Sequence, residues 1–147
     1  MNFFKKPLTL VLAMFFVATV AFSQDKVTDK ELTNFANAFT EIQMVNQNAQ
    51  SEMVKVIQDS GMQVETFNAL YQATQSPTPI IPEGVSQEDA ENFETVATKI
   101  EQMQPKFQKQ MEDAISENDL SVERYQQMIA MLQTDEKLQQ KLQSKLQ

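Results

Sequence analysis

The sequence predicts an all-α protein, a four-helix bundle built from two duplicated helix hairpins, each a long helix followed by a short one. Three observations lead there. The whole chain holds only two glycines, Gly61 and Gly84, while Gln, Glu, Ala, Met and Leu abound, a composition that favours helix almost throughout. Apolar residues recur at alternating steps of three and four, which is the helical period. Residues 31–75 also match residues 89–133 at one ungapped offset of 58.

The chain opens on MNFFKKPLTLVLAMFFVATVAFSQDK, with Lys5 and Lys6, an uncharged apolar run from Leu8 to Phe22, and the small-residue pattern Ala21-Phe22-Ser23. This reads as a secretory signal peptide, residues 1–23, cleaved after Ser23. The apolar run falls short of the roughly 20 residues that a spanning helix needs. The expected product is a single helical domain, residues 24–147, periplasmic or secreted, with no membrane span after cleavage. Lys5 and Lys6 leave with the signal, so 10 basic residues face 20 acidic ones and the net charge falls to −10. Nucleic acid is excluded as a partner because phosphate binding needs a basic face.

The first helix begins at Thr28, which with Glu31 has the spacing of a capping box. Leu32, Phe35, Phe39, Ile42, Asn46, Ala49, Met53 and Val56 follow as a packing seam. Asp59-Ser60-Gly61 stops the helix. A shorter helix runs from about Val64 to Thr74, with Val64, Phe67, Leu70 and Tyr71 on one face. Residues 76–85 form a Pro-rich linker, since Pro77, Pro79 and Pro82 lack the backbone N–H that a helix requires.

The third helix starts at Ser86, with Asp89 three residues on. Its seam is Phe93, Ala97, Ile100, Gln104, Phe107, Met111 and Ala114, the first seam displaced by 58. Pro105 lies inside this helix and predicts a kink or break. The fourth helix runs from Ser121 through Val122, Tyr125, Met128, Ile129 and Leu132, breaking near Thr134-Asp135. An amphipathic C-terminal helix, 135–147, carries Leu138, Leu142 and Leu146 at steps of four, a candidate partner-facing tail.

Each half alone is a hairpin that cannot bury both of its apolar faces, so two must pack together, long helix with long and short with short. The most distinctive matched stretches are GMQVETF and DLSVERY. Gly61, Val64, Glu65 and Phe67 in the first correspond to Asp119, Val122, Glu123 and Tyr125 in the second. These are read as turn and packing positions rather than as paired binding sites, because the matched residues are mostly apolar.

A leader followed by two copies of a long helix with an early Phe and a turn of this form resembles the secreted bacterial family described as domain of unknown function 4168. The resemblance covers residues 29–140. It implies the helical fold and an envelope location, and brings no catalytic residues, cofactor or activity.

The chain has no Cys and no His, which removes disulfides, thiolate nucleophiles, the Ser-His-Asp triad and zinc sites with nitrogen or sulfur ligands. Asn46 and Gln104 occupy matched seam positions and form a candidate core polar pair, fixing helix register or lining a pocket. Met128 and Met131 have the spacing of a Cu(I) face, yet thioethers serve equally as core filler. The acids Glu112, Asp113, Glu117 and Asp119 lack the pattern of a calcium loop and read as solvated helix faces. No cofactor is therefore expected. The reading that follows is a non-enzymatic interaction or structural module of the cell envelope, contacting another protein or a second copy of itself. The alternative is a carrier of a small apolar ligand or lipid in a bundle core opened near Pro105. A third reading, an acid–base enzyme, requires two carboxylates close together with one pKa raised.

Overall fold

A computed structural model of the protein describes residues 26–75 and 82–147. Residues 1–23, expected to be a signal peptide, and Pro77 and Pro79 of the linker lie outside the described residues. Five helices follow one another: α1 (Asp29–Asp59), α2 (Val64–Thr74), α3 (Gln87–Glu117), α4 (Val122–Thr134) and α5 (Glu136–Lys145), with no strand among the described residues.

The helix starts are set by local side-chain caps. At α1, Thr28 N donates to Glu31 Oε2 at 2.9 Å and Glu31 N donates to Thr28 Oγ1 at 3.2 Å, a reciprocal box that satisfies two otherwise unpartnered amides. The equivalent cap on α3 joins Asp89 N to Ser86 Oγ at 3.0 Å and Ser86 Oγ to Asp89 Oδ2 at 2.7 Å. Ser121 accepts from Arg124 N at the head of α4. Asp135 accepts from Lys137 N and Leu138 N at the head of α5, which separates α5 from α4.

The two hairpin turns are built alike. Gly61 adopts φ 83° and Asp119, 58 residues later, adopts φ 56°. Each follows the end of a long helix, with Gly61 N donating to Gln58 O at 2.9 Å and Asp119 N to Ser116 O at 3.1 Å. Glycine adopts this left-handed conformation freely, and Asp is among the few other residues that tolerate it.

The chain forms two compact units, one from residues 48–75 and 82–105 and the other from residues 26–47 and 106–147. The boundary in α1 lies after Gln47 and that in α3 after Pro105, positions again 58 apart. The start of α1 shares a unit with the end of α3, as antiparallel helices require, and the two long helices pack together. The short helices, expected to pair with each other, belong to different units, and the aromatic contact each makes runs to a long helix.

In the second unit, Leu32, Phe35 and Ala38 of α1 form a core with Ile115 of α3, Leu120, and Tyr125 and Met128 of α4. Leu138 and Leu142 of α5 pack against it. In the first unit, Phe67 of α2 meets Phe93 of α3 with ring centroids 5.1 Å apart, and Met53, Ile57, Leu70 and Val96 are buried. The offset maps core onto core: Phe35/Phe93, Ala38/Val96, Ala49/Phe107, Ile57/Ile115, Met62/Leu120, Phe67/Tyr125 and Leu70/Met128 are buried at both members. Hydrophobic burial therefore selects the same positions twice, as two hairpins of one origin demand.

Candidate functional site

The seam amides are not equivalent in the structure. Asn46 is half-buried, and its Oδ1 is buried without a hydrogen-bond partner. Gln104 is exposed, so it does not supply the second half of a core polar pair. Pro105, the next residue, is also exposed. Pro105 does not break the helix, which continues from Gln87 to Glu117.

The duplicated turn residues divide by role. Val64, Phe67 and Tyr125 are buried and Val122 is half-buried, whereas Gly61, Glu65, Asp119 and Glu123 are exposed. Burial pushes the Tyr125 phenol up to about 12.

The strongest polar constellation was not among the residues singled out from sequence. Glu31 of the α1 cap also accepts from Arg124 Nε at 2.9 Å, and Arg124 donates through Nη1 to Gln127 Oε1. Both partners are largely shielded, with Glu31 30% and Arg124 17% exposed. The Arg124 hydrogen bond, with the Thr28 amide, holds the Glu31 carboxyl well below its ordinary value, at about 2. This is the opposite of the raised pKa that a proton-donating catalytic acid needs. Three of the densest acids have partners: Asp113 pairs with Lys109 at 2.7 Å and Glu112 accepts from Gln108, each four residues away, and Asp119 lies 3.9 Å from Lys30. Among the described residues, no group of three or more Asp or Glu is placed to hold a metal ion. Met128 of the candidate copper pair is fully buried in the core.

The tail lies against the bundle. Leu138 and Leu142, both half-buried, pack on the second unit's core, and of the three tail leucines only Leu146 stands exposed. Lys145 Nζ reaches Asp29 Oδ2 at 3.1 Å and Thr33 Oγ1 at 2.9 Å, fastening the end of α5 to the start of α1. At the junction of α4 and α5 this docking leaves a groove of about 440 Å³. Val27, Met131 and Leu138 line it together with Lys26, Lys137 and Lys141. Only the i,i+4 spacing of Lys137 and Lys141 hinted at it, because Lys26 joins them through tertiary folding alone.

Neither a curated protein nor a solved structure matches the chain. The family model described as "Domain of unknown function (DUF4168)" matches it twice, over residues 18–78 and 81–142. Those matches take in most of the sequence and both hairpins, and the chain belongs to that family.

Proposed function

We propose that the protein is a non-enzymatic, exported helical module of the cell envelope that works by contact between its helix surfaces and another protein or a second copy of itself. The supporting observation is the division of its side chains. The buried set is wholly apolar, with no buried polar or charged residue among the described residues, and most of the described Gln and charged residues are exposed. Such a surface binds through adaptable amide hydrogen bonds and helix-face complementarity. Export rests on the basic, apolar and small-residue order of residues 5–23.

The reading is tested by native mass spectrometry of the protein recovered from its own cell envelope after mild cross-linking. A complex or dimer of chains starting at Gln24 is the expected result. Chains that retain residues 1–23 would refute export. A bare monomer without cross-links would refute the interaction module, and a releasable apolar molecule would favour the core carrier instead.

A further inference from the structure

We propose that the groove at the α4–α5 junction binds a small organic anion with an apolar body, a carboxylate or phosphate monoester carried on an aliphatic chain. This inference stands independently of the interaction-module reading.

The groove's volume of about 440 Å³ falls within the range of small-molecule sites. Val27, Met131 and Leu138 give it apolar walls, and Lys26, Lys137 and Lys141 bring three ammonium groups to it. Lys30, Lys109, Arg124 and Lys145 each lie against a carboxylate. Among the described residues, the three groove lysines are in no ion pair. Lys137 and Lys141 stand one helical turn apart, where like charges repel, and an anion between them relieves that repulsion. Among the described residues lining the groove, Asp135 is the one acid, and its Oδ1 accepts from Lys137 N and Leu138 N at the head of α5.

The groove also differs from its counterpart in the other half. Lys137 and Lys141 come from α5, beyond residues 89–133, the stretch that matches residues 31–75 at the offset of 58. Val85, the counterpart of Val27, lines a depression whose charged residues are Glu91 and Glu94. The matched position therefore has acidic residues in one half and lysines in the other. A lysine ammonium is a flexible point charge, suited to a carboxylate or phosphate head, while the apolar wall takes the chain.

The test is a titration of the full chain with dodecyl phosphate and with dodecanoate, each below its micellar concentration, followed by calorimetry and amide NMR shifts. Inorganic phosphate and phosphatidylglycerol vesicles serve as separate arms. The expected result is saturable 1:1 binding with shifts at Val27, Met131 and Leu138. Affinity should fall about tenfold in K137Q/K141Q, whose melting temperature stays at that of the parent. Absence of saturable binding overturns the proposal, as does undiminished affinity in K137Q/K141Q. Equal affinity for inorganic phosphate overturns the apolar part, and binding to vesicles alone reassigns the groove to a membrane surface and overturns the small-anion site.

Discussion

Phe35 of α1 stacks on Tyr125 of α4 with ring centroids 4.7 Å apart, and the same contact displaced by 58 residues joins Phe93 of α3 to Phe67 of α2 at 5.1 Å. Each pair links the long helix of one half to the short helix of the other. Each of these two contacts therefore needs both halves of the chain.

Truncating either long-helix ring should be costly. Phe35→Ala is expected to lower unfolding stability by about 3–5 kcal/mol, with Phe93→Ala toward the lower end because Phe93 is slightly more exposed. Urea denaturation measures both. A near-neutral result at Phe35 would refute the shared core.

The turns offer a test of opposite sign. Gly61→Ala should destabilise by about 1 kcal/mol, since a Cβ is strained at φ 83° even though no atom crowds it. Asp119→Gly should stabilise by about 0.5–1 kcal/mol, because its exposed contact with Lys30 at 3.9 Å contributes little. Thermal melts of the two variants moving in the same direction would contradict the equivalence of these turns.

Glu31 makes acid stability specific. Its folded pKa of about 2 lies below the ordinary 4.5, so its contribution is present above about pH 4.5 and is lost as pH falls toward 2. Glu31→Gln should cost about 1–2 kcal/mol at neutral pH and flatten the stability profile across that window. An unchanged profile between pH 5 and 2 would show that the Arg124 contact does not persist in solution.

Pro105 sits in the interior of α3 with its ring exposed, where it denies one helix hydrogen bond. Pro105→Ala should raise stability by about 1–3 kcal/mol without changing the fold. Guanidinium midpoints decide it, and a loss of stability would refute the expected gain.

Tyr125 adds an alkaline limb. Its folded pKa of about 12 exceeds the ordinary 10, so its contribution is intact below pH 10 and is lost as pH rises toward 12. Tyr125→Phe should weaken that alkaline loss, read by circular dichroism, and an identical profile would place the phenol in water.

Helix type, order and starts were legible because they depend on neighbours in the chain: the Thr28–Glu31 and Ser86–Asp89 caps, the Ser121 cap and the stop at Gly61 are all contacts within three residues or so. The packing stripe was only partly legible. A narrow seam through Phe39 and Ala97 missed Ala38 and Val96, both buried, because each long helix faces a short helix as well as a long one and needs a wider apolar face.

The sequence by itself determined an all-helical chain, its two hairpins and the family to which they belong, since periodicity, caps and the repeat are written in local order. Tertiary structure alone decided that the aromatic contacts cross between halves, that Glu31 meets Arg124 across 93 positions, and that Lys26 joins Lys137 and Lys141 around one groove. Those outcomes depend on which helix faces meet. Many pairings bury a similar apolar area, and only the assembled bundle selects one.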